Sequence, residues 1–289
     1  MLPPSQAANP IWITGAGGLI GGCLVQSAPA YWPNTVVVGL RRADLDLTDA
    51  AAVRREFERL RPRLIIHCAA VTKPTDCEAD PVLAQRLNVE ATATLAGLAE
   101  DIPLVFFSTD LVFDGRTGGY EESAAVNPLN RYAETKVAAE RRVLANPRHT
   151  VIRTSINGGT SSTGDRAFNE QLRRAWQEGR VLELFTDEFR CPIPASVTAR
   201  AVWELIAFDR PGLYHVAGSE RLSRWQIGQL LAARWPQWHP RIAPASLKDY
   251  AGPPRAADTS LNCAKAQQAL SFPLPGLSRW LAENPCERF

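Results

Sequence analysis

The chain has 289 residues, of which 45% are hydrophobic and 21% are charged, and its formal net charge at pH 7 is +2. This composition is typical of a globular protein with a sizeable core. The small net charge creates no strong field that would favour binding to nucleic acid or to a membrane surface. We therefore expect small molecules to be the partners, together with a second copy of the chain in a homodimer.

Three further features bound the class of protein. No apolar run reaches the length of about 18 residues that predicts a transmembrane helix, and the polar, proline-rich start does not predict a signal peptide. The six cysteines are scattered without a C-x-x-C pair, which indicates reduced thiols rather than disulfides or a zinc site. No His, Asp and Glu cluster has the spacing of metal ligands. The sequence thus predicts a cytoplasmic protein without a catalytic metal.

Short apolar runs alternate with helical patterns through the first half of the chain. The predicted strands lie at residues 11–14, 35–40, 45–47, 64–68, 104–108 and 151–153. The predicted helices lie at residues 19–27, 81–100 and 132–144, with a further helix that Thr48 caps and that ends near Leu60. Continuous apolar strands separated by helices predict an α/β fold, a Rossmann-type doubly wound parallel sheet with helices on both faces.

The pattern loosens after Thr154, where residues 156–166 are rich in Gly, Ser and Thr and predict a loop. We predict a dinucleotide-binding Rossmann domain over residues 1–155, to which part of residues 181–205 returns. A smaller C-terminal substrate-binding lobe is predicted over residues 156–180 and 206–289.

The first predicted strand runs into a loop with G-x-x-G-x-x-G spacing at Gly15, Gly18 and Gly21. Such a loop lets the backbone approach a pyrophosphate, and the helix that begins near Leu19 and Ile20 points its free N–H groups at the phosphates. Gly21 allows the helix and the strand to pack closely. Directly after the first strand of a βαβ unit, this pattern predicts a dinucleotide site rather than a plain structural turn.

The end of the second predicted strand indicates which dinucleotide is bound. NAD sites usually place a carboxylate there, whereas this strand is followed by Arg41 and Arg42, whose guanidinium groups suit the 2′-phosphate of NADP. The alternative is a solvated basic turn. Asp46 and Leu47 end the next predicted strand and are expected at the adenine edge. We therefore predict that NADP(H) is preferred over NAD(H).

Tyr132 and Lys136 form a Y-x-x-x-K pair, which places both side chains on one face of a helix. An ammonium group beside a phenol favours the phenolate, so Lys136 is expected to lower the pKa of Tyr132 and make it a general acid near working pH. Ser108 and Thr109 end a predicted strand on the ligand side of the sheet, where the Thr109 hydroxyl could donate to the same substrate oxygen. Alone, such a pair is common by chance.

Taken together, these motifs resemble the extended short-chain dehydrogenase/reductases, and most closely their dTDP-4-dehydrorhamnose reductase branch. The resemblance covers residues 11–155 almost continuously and is carried by Leu45–Asp49, His67–Thr72, Leu87–Val89, Ser108–Gly115 and Asn127–Tyr132. It extends more loosely to Asp187–Pro192 and Gly212–Gly218.

The resemblance implies an NADP-dependent oxidoreductase that reduces a keto group, such as the 4-keto group of a nucleotide-linked deoxysugar. It implies a catalytic triad of Thr109, Tyr132 and Lys136, in which Tyr132 protonates the substrate oxygen and Lys136 also holds the nicotinamide ribose. It further implies cofactor contacts by Cys68, Ala69, Ala70, Thr72 and Ser108. The branch includes a regulatory subunit of methionine adenosyltransferase, so the alternative is a dinucleotide-binding subunit without turnover. The intact triad favours the enzyme.

The wall that would face the sugar departs from that branch. Leu111 stands in place of an aromatic residue, and the segment Ser155–Gly159 replaces the Trp-Val-Tyr-Gly of the branch. We expect Leu111, Ser155 and Asn157 to face the substrate and dTDP-4-dehydrorhamnose to be at best a poor substrate. Arginines that could clamp a substrate diphosphate stand at positions 173, 174, 190 and 255. Arg190, set in an otherwise apolar segment, is the strongest of them.

Overall fold

The computed structural model describes residues 9–287 and 289, so the expectation for the start of the chain falls largely outside the described residues. The strands are β1 (Ile11–Thr14), β2 (Val37–Leu40), β3 (Leu64–His67), β4 (Leu104–Thr109), β5 (Thr150–Thr154), β6 (Asn157–Gly158), β7 (Leu182–Phe185), β8 (Phe189–Arg190), β9 (Ile193–Pro194), β10 (Gly212–Val216), β11 (Leu222–Ser223) and β12 (Ile242–Ala245). The helices are α1 (Leu19–Tyr31), α2 (Ala50–Leu60), α3 (Pro74–Ala79), α4 (Pro81–Ala84), α5 (Ala91–Leu98), α6 (Arg131–Leu144), α7 (Phe168–Gln177), α8 (Ala195–Ala207), α9 (Arg224–Arg234), α10 (Ala264–Ala269) and α11 (Leu277–Glu283).

Six parallel strands form the central sheet in the order β2-β1-β3-β4-β5-β10. Alternate side chains of each strand enter opposite layers: Ile11 and Ile13 pack with α1 and α8, whereas Trp12 packs with α2, α5 and α6. The predicted doubly wound α/β fold is therefore confirmed. The strand order reverses between β1 and β3, and the crevice at the carboxyl ends of such strands is where ligands bind in this architecture.

The predicted strand at residues 45–47 does not form, and β2 is the edge of the sheet. The Asp46 carboxylate instead accepts hydrogen bonds from the backbone N–H of Thr48 at 2.9 Å and from the Thr48 hydroxyl at 2.8 Å. These bonds close a turn, as short Asp side chains commonly do. The N-cap of α2 is consequently Asp49, which accepts from the Ala52 N–H, and not Thr48.

The other differences concern the middle and the end of the sheet. The predicted helix at residues 81–100 is divided into α4 and α5 by a π-helical turn at Gln85–Glu90. Strand β10, which falls within the predicted smaller lobe, pairs in parallel with β5 and is the last strand of the sheet. Helix α8 also lies on the sheet, where Trp203 packs in the layer of α1 and donates its indole N–H to Ser27 at 3.0 Å.

A second, smaller core lies beside the sheet. It is built from α7, α9 and α11, whose buried members include Leu172, Ile227 and Trp280, and from Phe289. Three short strand pairs lie outside the central sheet: β6 with β9, β7 with β12, and β8 with β11. Across the described part of the chain, no helix is both long and apolar enough to cross a membrane.

Candidate active site

The glycine loop between β1 and α1 forms an open cradle at the carboxyl end of the sheet. Gly15 has a φ of 69°, and a Cβ there would lie 2.7 Å from the Ala69 nitrogen, so only glycine fits this approach to the segment after β3. Gly18 is the N-cap of α1 and offers no side-chain cap. The first turn of α1, at Leu19 and Ile20, therefore has no side-chain cap, and uncapped N–H groups at a helix N-terminus favour anions such as phosphate.

Two exposed arginines, Arg41 and Arg42, follow β2 directly. The Arg41 Cγ lies 3.8 Å from the position that a Cβ on Gly17 would take, so the Arg41 side chain reaches over the loop. Within the described residues, neither Arg41 nor Arg42 makes an ion pair, which leaves both guanidinium groups available to an anion. Asp46 is exposed and engaged in its turn, whereas the Leu47 side chain is buried in the core. The Leu47 side chain is therefore not available for the predicted contact with an adenine.

The segment after β3 forms the opposite side of the cradle. The buried amide of Asn88 accepts the Val71 N–H at 2.8 Å, donates to the Val71 carbonyl at 3.0 Å and donates to the Thr135 hydroxyl at 3.0 Å. These bonds fix the segment against α6. Its residues Cys68, Ala69, Ala70 and Thr72 are half-buried or exposed, as contacts with a cofactor require.

Thr109, Tyr132 and Lys136 are brought together as predicted from their motifs. Thr109 ends β4, and the other two residues lie one turn apart on α6, whose N-cap Asn130 accepts the Ala133 N–H at 3.0 Å. The Lys136 Nζ lies 4.0 Å from the centre of the Phe106 ring. All three side chains are buried. The neighbouring Ser108 hydroxyl is also buried and has no hydrogen-bond partner among the described residues, which suits a ligand contact.

Burial governs the protonation of this group. It raises the pKa of Tyr132 well above its ordinary value; the adjacent Thr109 hydroxyl opposes the shift and the Asp110 carboxylate adds to it. Burial also lowers the pKa of Lys136 to about 7. The expected lowering of the Tyr132 pKa by Lys136 does not occur: the largest cause of the shift is burial of the phenol, which acts in the opposite direction. At neutral pH Tyr132 carries its proton and can donate it.

The residues expected to face the sugar lie close to this group but differ in their roles. Leu111 is half-buried and packs in the same cluster as Tyr132. The Ser155 hydroxyl donates to Asp110 Oδ2 at 2.7 Å, and Asn157 accepts from the Thr198 hydroxyl at 2.7 Å. The structure thus uses Ser155 and Asn157 in internal hydrogen bonds, a role that sequence spacing does not reveal.

A cluster of arginines surrounds the fully buried Glu188 on the lobe side of the site. The Glu188 carboxylate lies 3.0 Å from Arg190, 3.1 Å from Arg224 and 2.7 Å from Arg255. Arg190 also donates to the carbonyls of Phe189 and Ala256, so its guanidinium is largely engaged within the protein and not free for the predicted diphosphate contact. Arg224 and Arg255 retain 20% and 29% exposure of their side chains.

Sequence reasoning missed Glu188, Arg224 and the role of Asp110. Asp110 and Glu188 stand inside two of the resembling motifs, but their immediate neighbours include polar and charged residues, so nothing in the local pattern marks them as buried. Arg224 carries no signal either, because it follows a capping Ser223 in an ordinary helix start. Within the described residues, His, Cys, Asp and Glu form no group of three or more that could hold a metal ion.

Comparison with known proteins gives consistent matches. The family model "RmlD substrate binding domain" matches residues 9–284. The chain is 33% identical over 223 residues to a dTDP-4-keto-6-deoxy-D-glucose reductase of Streptomyces niveus, covering 75% of this chain and 76% of that protein. It is 29% identical over 270 residues to the methionine adenosyltransferase 2 subunit beta of Xenopus laevis, covering 89% and 81%. A dTDP-4-dehydrorhamnose reductase of Bacillus anthracis, crystallised with NADP, has the same fold (TM-score 0.86, 23% identity, covering 95% and 98%).

Proposed function

Because the chain belongs to the RmlD substrate binding domain family, we propose that it is an NADP-dependent reductase of a keto group. The substrate we propose is a nucleotide-linked deoxysugar that carries a 4-keto group. The observation that carries the proposal is the buried, protonated phenol of Tyr132 beside the Thr109 hydroxyl. Both lie at the carboxyl end of the sheet, where the glycine cradle opens.

The residues of the cradle fit a nicotinamide dinucleotide. The close approach at Gly15, the uncapped first turn of α1 and the unpartnered Ser108 hydroxyl are the features that such a ligand would complete. Arg41 and Arg42 would hold a 2′-phosphate, and Lys136 the ribose next to the nicotinamide. When bound, the cofactor supplies the hydride.

The side chains of this protein supply the proton and the orientation. Tyr132 donates its proton to the oxygen that gains negative charge as the carbonyl is reduced. The Thr109 hydroxyl can donate a second hydrogen bond to that oxygen and so orient the carbonyl. Lys136 stands one turn from Tyr132, and its ammonium form offsets the phenolate that remains after proton transfer.

The arginine cluster supports a substrate that carries a diphosphate. The cluster has one more positive charge than negative charges: Arg190, Arg224 and Arg255 against Glu188 and Asp110. The Arg255 Cζ lies 5.3 Å from the centre of the Tyr250 ring. The partly exposed pair Arg224 and Arg255 would take the role that the sequence suggested for Arg190. The activity named for the Streptomyces niveus relative agrees with this substrate class.

The second candidate is a dinucleotide-binding regulatory subunit without turnover. It is favoured by the similarity to the methionine adenosyltransferase 2 subunit beta, which extends over 89% of the chain. A binding module does not require a buried acid, a hydroxyl and a lysine around one carbonyl position. We therefore place the reductase first.

The test is the oxidation of NADPH, followed at 340 nm with a panel of 4-keto-6-deoxysugar nucleotides that includes dTDP-4-dehydrorhamnose. We expect turnover with the wild type and a roughly 10²- to 10⁴-fold loss in Tyr132→Phe, the usual contribution of a general acid. The matched control is Tyr214→Phe, a buried tyrosine on β10 outside the site. A wild type that binds NADPH but reduces no member of the panel would favour the regulatory subunit.

Two further predictions accompany the proposal. All six cysteines are free thiols, which supports a reducing compartment such as the cytoplasm. The homodimer stays a prediction, and light scattering of the purified chain measures it directly.

A further inference from the structure

Asp110 lies between the catalytic hydroxyl and the second lobe. Its Oδ1 accepts a hydrogen bond from the Thr109 hydroxyl at 3.2 Å. Its Oδ2 accepts from the hydroxyls of Ser155 at 2.7 Å and Thr259 at 3.1 Å, and lies 3.7 Å from the Arg190 Nε. Asp110 is only 4% exposed, so these groups replace water around its carboxylate.

Arg190 is itself held in place by groups on the side away from Asp110. It is 2% exposed, is paired with the fully buried Glu188 and bonds the Ala256 carbonyl through both terminal nitrogens. The guanidinium therefore cannot move away from Asp110 without breaking several buried bonds. A charge that costs this much to desolvate is balanced by a partner in a defined place.

We propose that the buried Arg190–Asp110 pair is a positioning device for the Thr109 hydroxyl during carbonyl reduction. Asp110 holds Thr109 Oγ1 in one orientation at the end of β4, while Arg190 and the hydroxyls of Ser155 and Thr259 hold the opposite carboxylate oxygen. This inference rests on the proposed reductase function.

The sharing of the Asp110 carboxylate explains how Thr109 can be held and still serve the substrate. Thr109 is the donor to Oδ1, whereas Oδ2 accepts from two other hydroxyls and faces the Arg190 guanidinium, so much of the carboxylate is already satisfied. The proton of Thr109 can therefore turn from Asp110 to a substrate oxygen at small cost. Without Arg190, the carboxylate would retain that proton more strongly.

The test is a double-mutant cycle between Asp110→Asn and Thr109→Val. We expect Asp110→Asn to lower kcat roughly ten-fold, the value of one hydrogen bond of about 1.4 kcal/mol, with KM and the NADPH dissociation constant nearly unchanged. In the Thr109→Val background, Asp110→Asn should cause no further loss, because it acts through the hydroxyl that is already absent. In Thr109→Ser, which keeps the hydroxyl, the loss should return.

Two further variants keep the test decisive. Asp258→Asn removes a half-buried carboxylate that pairs with Arg221 and has no contact with Asp110 or Thr109, and its effect should add to that of Thr109→Val. Ser155→Ala is a milder change that replaces Asp110→Asn if that variant does not fold. We expect it to lower kcat two- to three-fold in the wild-type background and to cause no further loss in Thr109→Val. If the wild type is active but the losses from Asp110→Asn and Thr109→Val add, the positioning role is contradicted while the reductase function stands. A wild type without turnover would contradict the proposed function and this role with it.

Discussion

Burial moves the pKa values of Tyr132 and Lys136 in opposite directions, and this could not be predicted from their spacing. The Y-x-x-x-K pattern places both side chains on one helix face, as the structure shows. It does not reveal that β4 and the segment after β3 exclude water from them. The phenol of Tyr132 therefore keeps its proton, whereas the ammonium of Lys136 loses its proton more readily than an exposed lysine does.

A first prediction follows for the pH dependence of stability. The pKa of Lys136 is lowered from 10.5 to about 7 on folding, so between these values the unfolded chain binds more protons and stability rises with pH. We expect Lys136→Met to be more stable than the wild type near pH 6. The difference should shrink by up to about 1.4 kcal/mol per pH unit above pH 7.

Urea unfolding of both proteins at several pH values, without cofactor, measures this difference. The contact between Lys136 and the Phe106 ring stabilises the charged form and so reduces the effect without reversing its sign. A difference that stayed constant or grew with pH would show that Lys136 is not desolvated.

A second prediction concerns the choice of cofactor. Arg41 reaches over the glycine loop, Arg42 follows it in the chain, and neither makes an ion pair among the described residues. We expect tighter binding of NADPH than NADH, with the preference lost in the double variant Arg41→Ala/Arg42→Ala at a cost of about 1.5–3 kcal/mol. Fluorescence titration gives both dissociation constants. Arg54→Ala/Arg55→Ala on α2 is the matched control, and equal affinities in the wild type would overturn the assignment.

At the scale of elements, continuous apolar runs identified five strands of the sheet, because burial on both faces demands them. The run at residues 45–47 failed because the Asp46 side chain closes a turn with Thr48, a local bond that competes with the ladder. The division of the helix at residues 81–100 was also missed. Its π-helical turn carries Asn88, whose amide fixes the segment after β3, and hydrophobic periodicity does not report such a bond.

A third prediction concerns the loop at residues 159–167, which the carboxylate of Glu170 holds in place. This buried group accepts the N–H of Ser161 at 2.8 Å, the Ser161 hydroxyl at 2.6 Å, and the N–H groups of Arg166 and Ala167 at 3.0 Å. The loop in turn reaches the cradle, where the Ser162 hydroxyl donates to the Gly17 carbonyl at 2.9 Å.

We expect Glu170→Gln to lower the free energy of unfolding by about 2 kcal/mol or more, since bonds to a charged group are each worth about 1.5–3 kcal/mol. The control is Glu178→Gln at the end of the same helix, where the ion pairs with Arg174 and Arg180 are exposed to solvent and contribute little. Limited proteolysis should cleave the loop faster in Glu170→Gln alone. Equal stability of the two variants would contradict this account of the loop.

At the scale of the whole molecule, the family resemblance noted from the motifs is confirmed by the match over residues 9–284. The contacts that join the two lobes could not be predicted in this way. Asn130 donates to the Pro254 carbonyl at 3.2 Å, and Arg190 reaches Asp110 across 80 positions of the chain. Such pairs depend on the tertiary fold and leave no periodic signal in the sequence. For this reason we predicted a diphosphate contact for Arg190 and not its pairing with Asp110.

The most direct test of the reductase assignment follows the hydride itself. The wild type is incubated with dTDP-4-keto-6-deoxy-D-glucose and with NADPH deuterated at C4 of the nicotinamide, each stereoisomer in turn, and the product is analysed by NMR. We predict that one stereoisomer transfers deuterium to carbon 4 of the sugar as deuteride, one deuterium atom for each NADPH oxidised. Bound NADPH that keeps its label with both stereoisomers, across the whole panel of keto-sugar nucleotides, would contradict the reductase assignment.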